Sequence, residues 1–91
     1  MDIEKSKRKI AETLELPKEV LLGLPKITIT ANEEIIIENH RGVVYFGNEE
    51  VKIQTKLGDI SVQGKELEVL YLSGNTMIIG GKFVGVRYEK I

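Results

Sequence analysis

The chain has 91 residues, with 13 Lys and Arg, 14 Asp and Glu, one His and no cysteine, so its formal net charge is −1. A chain of this length forms one domain that buries roughly 60% of its extended surface, and its charge gives no general attraction to nucleic acid or acidic membranes. The lack of cysteine excludes disulfides, thiolate catalysis and zinc sites built on sulfur, and the single His excludes a multi-histidine metal site.

Residues 1–25 are predicted to form an N-terminal helical segment. Asp2 is suited to cap a helix over residues 2–15, and Pro17 and Gly23 bracket a second short helical turn. The Leu-rich stretch after Pro17 is expected to pack under a sheet, with a membrane anchor as the weaker alternative because no aromatic residue accompanies it. No apolar run approaches the ~20 residues of a membrane span, and the start lacks the apolar core of a signal peptide. We therefore expect a soluble protein of a reducing compartment, without direct membrane insertion.

Residues 26–91 are predicted to form a β domain that folds as a single unit with the helical segment. Short alternating segments are separated by Gly, Asn and Asp, which is typical of strands joined by tight turns. The eight predicted strands are Lys26–Thr30, Glu34–Glu38, Val43–Phe46, Glu50–Lys56, Ile60–Val62, Glu66–Leu72, Thr76–Ile79 and Phe83–Tyr88. The predicted fold is mainly β with an N-terminal helix, a small antiparallel β-meander forming a roll or sandwich. A short β-solenoid is the alternative.

The stretch Val51–Gly64 is the clearest hairpin in the sequence. Apolar residues and Thr alternate with Lys and Gln over Val51–Leu57, and Ile60 and Val62 resume the alternation. We expect the turn at Gly58-Asp59, with one face of the hairpin in the core and the other in solvent.

A second hairpin is predicted around Gly74-Asn75. A two-residue loop there sets Leu72 opposite Met77 and Tyr71 opposite Ile78, and the next pair, in regular register, is Leu70 opposite Ile79. Both faces of this hairpin are then apolar.

The segments Ile35–Ile37 and Val43–Phe46 are also apolar on both faces. Because a small domain covers few strands on both sides, we expect either the helical segment or a protein partner to cover the second face. The residues of the expected interaction surface are Ile36, His40, Arg41, Val44, Tyr71 and Ile78.

No cluster in the sequence indicates an enzyme, and no catalytic, cofactor or metal site is predicted. The basic run Lys5–Lys9 is interleaved with carboxylates and has no aromatic neighbour, so we interpret it as a solvated helix face that does not bind nucleic acid. The carboxylate pairs Glu33-Glu34 and Glu49-Glu50 lie beside turns, where solvated charge is common. The turn Asn39–Gly42 supplies the alternative function, a module that binds a small ligand or glycan through this turn and Tyr45.

Four segments together resemble a known family. They are Leu14–Val20, Leu24–Ile29, Ile37–Val43 with its Glu-Asn-His-Arg-Gly sequence, and Ile53–Leu67 with its two glycines. From about residue 14 to the C-terminus the chain is similar to the YabP/YqfC family of sporulation proteins, and within that family to the YqfC branch.

The resemblance implies a role in endospore formation in the mother cell. Because genes of this family commonly lie beside genes for membrane proteins of sporulation, it implies a membrane-protein partner as well. It brings no catalytic residues. The expected function is a non-enzymatic assembly or scaffolding factor for the spore envelope, its coat or cortex, that acts by self-association, by binding a sporulation membrane protein, or both. The expected location is the mother-cell cytoplasm, with peripheral attachment to the forespore membrane through a partner.

Overall fold

A computed structural model describes residues 22–89, which form an open, six-stranded antiparallel sheet. The strands are β1 (Lys26–Thr30), β2 (Glu34–Glu38), β3 (His40–Phe46), β4 (Glu50–Thr55), β5 (Gly58–Leu72) and β6 (Thr76–Tyr88). The mainly β fold is therefore confirmed for this part of the chain. The predicted helix over residues 2–15 lies outside the described residues, as does most of the second helical turn.

The order of the strands in the sheet is β1-β2-β6-β5-β4-β3. Every pair of neighbours is antiparallel, which is incompatible with the parallel stacking of a β-solenoid, so that alternative is wrong. The predicted meander, in which each strand pairs with the next one in the chain, is wrong at the connection between β2 and β3. The link at Asn39 leads from β2 to β3 at the far edge of the sheet, and β6 returns to pair with β2.

Six strands replace the eight predicted ones because two predicted breaks are bends inside long strands. At the first bend, a Cβ on Gly64 would collide with the carbonyl oxygen of Lys82. At the second, Gly81 has a φ of 136°, and a Cβ there would lie 2.8 Å from the carbonyl oxygen of Glu66. Glycine at these two positions lets the backbones of β5 and β6 approach closely and bend together. The sequence indicated the glycines but not that the strands continue through them.

The bend folds the long β5–β6 hairpin back on itself. Gly58, which pairs with Thr55, and Ser73 would lie about 50 Å apart in a straight strand. However, His40, which also pairs with Thr55, has its Nε2 only 3.1 Å from the carbonyl oxygen of Ser73. The two ends of β5 therefore lie close together, and the bent hairpin contributes to both sides of the core.

The β3–β4 turn and the β1–β2 turn are both hydrogen-bonded to the bend in β5 and β6. The backbone N–H groups of Gly64 and Leu67 donate to the carbonyl oxygens of Glu49 and Asn48, at 3.0 and 2.8 Å. On β6, the N–H of Phe83 donates to Asn32 Oδ1 at 2.7 Å. These bonds satisfy backbone groups that the bend removes from the regular ladder.

The core consists of aliphatic side chains and one methionine from β2, β4, β5 and β6. Its fully buried or nearly buried members are Ile35, Ile37, Val51, Ile53, Val62, Leu67, Met77 and Ile79. In β2, β4 and β6 they follow the period of two that places alternate strand residues on one face, whereas the register shifts at the bend of β5 set Val62 and Leu67 five positions apart. The core face predicted for the Val51–Gly64 hairpin is confirmed, since Val51 pairs with Val62 and Ile53 with Ile60.

The turn of that hairpin is shifted from its predicted position. Thr55 pairs with Gly58, so the loop is Lys56-Leu57 and not Gly58-Asp59. Thr55 Oγ1 donates to the carbonyl oxygen of Gly58 at 2.7 Å and accepts the N–H of Leu57 at 3.1 Å. These two bonds close the loop, and Leu57, expected in the core, is 41% exposed.

The residues just before β1 are bonded to the sheet. Leu22 is buried, and its carbonyl oxygen accepts a hydrogen bond from Lys56 Nζ at 2.8 Å. The carbonyl oxygen of Leu24 accepts one from Asn39 Nδ2, also at 2.8 Å. The burial of Leu22 agrees with the expected packing of the Leu-rich stretch.

Candidate functional surfaces

Three residues of the expected interaction surface lie side by side on one face of the sheet. Ile36 on β2 pairs with Ile78 on β6, and Ile78 pairs with Tyr71 on β5. Neighbouring strands are about 4.8 Å apart, so the three side chains form a continuous line across the sheet. Their strand neighbours Ile35, Ile37, Met77 and Ile79 are buried in the core, which places this line on the opposite, outer face.

Leu70 joins this line because of a bulge in β5. The register shifts between Val69 and Tyr71, so Val69 pairs with Ile79 in place of the expected Leu70. The side chain of Leu70 instead covers Gly80, where a Cβ would lie 3.0 Å from Leu70 Cδ1. The predicted Leu70–Ile79 pair is therefore wrong, whereas the predicted Leu72–Met77 and Tyr71–Ile78 pairs are confirmed.

We call Ile36, Leu70, Tyr71 and Ile78 the outer patch. Leu70 and Tyr71 are 54% and 53% exposed, and Ile36 and Ile78 are partly exposed. Large adjacent apolar side chains on a sheet face are typical of binding surfaces, in contrast to scattered exposed residues. Three of the four members were predicted from the sequence, because their strands are apolar on both faces. Leu70 was not predicted, because its position depends on the bulge in β5.

A second exposed apolar surface lies on β3, which is an edge strand. Val43, Val44, Tyr45 and Phe46 are 38–55% exposed, and we call them the β3 edge. Of these four, only Val44 was among the predicted site residues. Within residues 22–89, β3 pairs with β4 alone, so the other side of its backbone has no strand partner.

His40 and Arg41 are separate from the outer patch. His40 is 6% exposed, and its Nε2–H donates to the carbonyl oxygen of Ser73, while its backbone N–H and that of Asn39 donate to the carbonyl oxygen of Asn75. His40 therefore joins β3 to the β5–β6 turn. Its Nδ1 is buried and has no hydrogen-bond partner. Arg41, the next residue, is exposed.

Asn39–Gly42 and Tyr45 do not form the common binding site of the alternative function. Asn39 links β2 to β3 with a φ of 65°, and the three residues after it already belong to β3. Tyr45 lies five residues beyond His40, about 17 Å along a strand. Tyr45 instead lines an open groove of about 540 Å³ with residues of the β3–β4 turn, Gln63, Gly64 and Val84.

A polar network covers the outer face of β4 and the first half of β5. Ser61 is fully buried, and its hydroxyl donates to Glu50 Oε2 at 2.8 Å. The Glu89 carboxylate accepts a hydrogen bond from Arg87 Nη2 at 2.9 Å and forms an ion pair with Lys52 Nζ at 3.3 Å. The hydrogen bond from Arg87, followed by the effects of Lys52, lowers the pKa of the Glu89 carboxyl below its ordinary value. The predicted solvent face is thus polar, but Ser61 within it is inaccessible.

The described residues contain neither a cluster of metal ligands nor a membrane-spanning helix. Across residues 22–89, no three His, Asp or Glu side chains come together as metal ligands. In the same range there is no helix of the length and apolarity that crossing a membrane requires.

Comparison with known proteins agrees with the resemblance in the sequence. The family model of the YabP family matches residues 23–91. A relative in Bacillus subtilis (strain 168), the uncharacterized protein YqfC, is 33% identical over 79 residues. That similarity covers 87% of this chain and 85% of YqfC.

Proposed function

The chain belongs to the YabP family, and from that premise we propose that it is a non-enzymatic sporulation protein that helps assemble the spore envelope. The proposed action is by protein–protein contact in the mother cell. The family resemblance supports the process, and the exposed apolar surfaces support the mode of action.

The outer patch is the observation that carries this proposal. Its four apolar side chains come from three neighbouring strands, so the sheet holds them at fixed positions. A rigid apolar surface loses little conformational entropy when a partner covers it. Large apolar and aromatic side chains also contribute most of the binding energy in protein interfaces. A partner that covers Leu70 and Tyr71 removes two side chains from water that are each about half exposed.

The proposed partner is a membrane protein of sporulation, which binds the outer patch with a soluble segment. Such binding places the chain at the forespore membrane without any insertion of its own. The mixed rim of the patch, with Thr28 on β1 and Glu38 and Thr76 at the ends of β2 and β6, resembles the polar rim of transient interfaces.

The test is a comparison of two surface variants in the spore-former that encodes the chain. The double variant Leu70→Glu/Tyr71→Glu places two charges in the outer patch. The control Val84→Glu places one charge outside it, on the other half of β6. Val84 is 77% exposed, the highest value among the large apolar residues that the structure describes. We expect the patch variant to reduce heat-resistant spores as strongly as gene deletion, and Val84→Glu to leave them unchanged. Purified variants are first compared by circular dichroism and urea unfolding, to establish that both are folded.

Two results would contradict the proposal. If the deletion strain forms heat-resistant spores like its parent, the chain has no essential part in the envelope. If a folded patch variant restores spores fully, the outer patch is not the surface that acts.

A further inference from the structure

The open groove beside Tyr45 has the dimensions of a small-molecule site. Its volume of about 540 Å³ lies within the range of such sites. Tyr45 lines it from β3 and Val84 from β6, and the strands β4 and β5 lie between them. Three strand spacings separate β3 from β6, about 14 Å along the sheet. The groove is therefore long enough for a ligand larger than a single ring.

The aromatic ring of Tyr45 is held in place at the groove. A Cβ on Gly47 would lie 2.9 Å from Tyr45 Oη and 3.2 Å from Tyr45 Cε2, so the hydroxyl end of the ring lies against this glycine. The turn that contains Gly47 is itself fixed, because the carbonyl oxygens of Asn48 and Glu49 accept hydrogen bonds from β5. Tyr45 is nevertheless 52% exposed. The groove thus presents an ordered aromatic surface before any ligand arrives.

The polar side chains of the groove supply both donors and acceptors of hydrogen bonds. The Glu50 carboxylate is positioned by the fully buried hydroxyl of Ser61, which donates to its Oε2 at 2.8 Å. Among residues 22–89, no hydrogen bond or ion pair engages the side chains of Asn48, Glu49 or Gln63. Amide side chains donate and accept, whereas carboxylates only accept. A ligand in the groove therefore meets both kinds of group.

We propose that this groove binds a short, uncharged oligosaccharide. The C–H groups on one face of a sugar ring carry a small positive charge, which suits the negative face of the Tyr45 ring. The hydroxyl groups at the edge of the sugar donate and accept, as the amides and carboxylates of the groove require. The proposal goes beyond the function proposed above, because the outer patch shares no residue with the groove.

Charged ligands match the groove less well. Its lining includes two carboxylates, Glu49 and Glu50, and no Lys, Arg or His, so an anion would be repelled. An ammonium group suits the carboxylates and the aromatic ring, but it only donates and leaves the amide N–H groups of Asn48 and Gln63 without an acceptor. An uncharged polyhydroxylated ligand satisfies all of these groups.

Binding is tested by NMR titration of the ¹⁵N-labelled full chain. The uncharged probes are cellotriose, maltotriose and triacetylchitotriose, and the charged probe is the trimer of glucosamine. Because an open groove covers only part of its ligand, we expect at least one uncharged trimer to bind with a dissociation constant of about 1 mM. The shifted amide signals should be those of the groove. The proposal is overturned if no uncharged trimer binds at about 10 mM, tenfold the expected constant, or if the glucosamine trimer binds more tightly than all three.

Replacement of Tyr45 tests whether the ring contacts the ligand. Tyr45→Ala is expected to weaken binding of the best uncharged trimer about tenfold, because the stacked surface is lost. Val44→Ala is the matched control, since Val44 is the next residue of β3 and is 55% exposed but does not line the groove. We expect Val44→Ala to bind like the wild type. Equal affinities of Tyr45→Ala and the wild type would overturn the proposal.

Replacement of Gly47 tests whether the ring must be held in its position. The atoms nearest to an added Cβ all belong to the Tyr45 side chain, which can rotate aside, so Gly47→Ala is expected to fold and to displace the ring. We expect binding about fivefold weaker than in Gly74→Ala, the control, where a Cβ meets nothing within 4 Å. Urea unfolding first establishes that both variants are folded. Equal binding by the two would contradict the proposed positioning of Tyr45. None of these titrations bears on spore formation through the outer patch.

Discussion

Replacement of Gly64 by Ala tests the bend on which the whole arrangement depends. The added Cβ would meet the carbonyl group of Lys82, with the carbonyl carbon 3.0 Å away, and Leu67 Cδ2, also at 3.0 Å. The main obstacle is backbone, which cannot rotate aside, so β5 and β6 must separate locally. Overpacking of this kind costs about 1–3 kcal/mol, and we expect the upper half of that range. The lower entropy of the unfolded chain returns about 0.4–1 kcal/mol. The net loss is about 2 kcal/mol in the free energy of unfolding.

The assay is equilibrium unfolding in urea followed by circular dichroism, with thermal unfolding beside it. A loss of about 2 kcal/mol lowers Tm by about 8–16 °C in a domain of this size. Gly85→Ala is the matched control, because Gly85 lies in the same β5–β6 pair, on β6 opposite Gln63, but a Cβ there meets nothing within 4 Å. We expect its free energy of unfolding to change by less than about 1 kcal/mol. If Gly64→Ala and Gly85→Ala unfold alike, β5 and β6 do not approach at Gly64 as described.

Three further predictions concern the interior and the polar network. Ser61→Ala removes the hydrogen bond to the Glu50 carboxylate and is expected to lower the free energy of unfolding by about 1.5–3 kcal/mol, measured in urea. Ile53→Ala opens a cavity in the fully buried core and is expected to cost about 2–5 kcal/mol in the same assay. Arg87→Ala is expected to raise the pKa of Glu89 toward its ordinary value, measured by NMR titration of the carboxyl carbon.

Each of these predictions has an outcome that contradicts it. A Ser61→Ala variant as stable as wild type would mean that the buried hydroxyl contributes no net stability. For Ile53→Ala, a loss below about 1 kcal/mol would show a loosely packed site. For Glu89, the folded-state pKa is depressed, so its contribution to stability is present above the unfolded-state pKa and is lost as pH falls through the folded-state value. An unchanged Glu89 titration in Arg87→Ala would assign the shift to Lys52.

The two surfaces differ in how far the sequence could predict them. Ile36, Tyr71 and Ile78 were identified from doubly apolar strands, because alternation assigns every second residue to a face whatever the neighbouring strands are. Leu70 was placed on the wrong face, because a bulge adds one residue and reverses the alternation beyond it. His40 was expected on the interaction surface, but it is buried at the β5–β6 turn through a contact 33 positions away in the chain.

The local sequence pattern determined those features of the fold that depend only on residues close together in the chain. The strands β1 and β2, the two-residue loop at Gly74-Asn75 and the core residues of β4 all follow from alternation and turn chemistry within a few positions. The family also follows from the sequence, since the matching segments extend over most of the chain.

Only the tertiary structure decided that β5 and β6 continue through Gly64 and Gly81, that β6 pairs with β2, and that β3 is an open edge. A glycine has the same sequence signature in a turn as in a bend, because both require only the absence of a Cβ. What distinguishes them is the backbone of another strand that approaches the glycine. That approach depends on contacts between residues far apart in the chain, which no local pattern records.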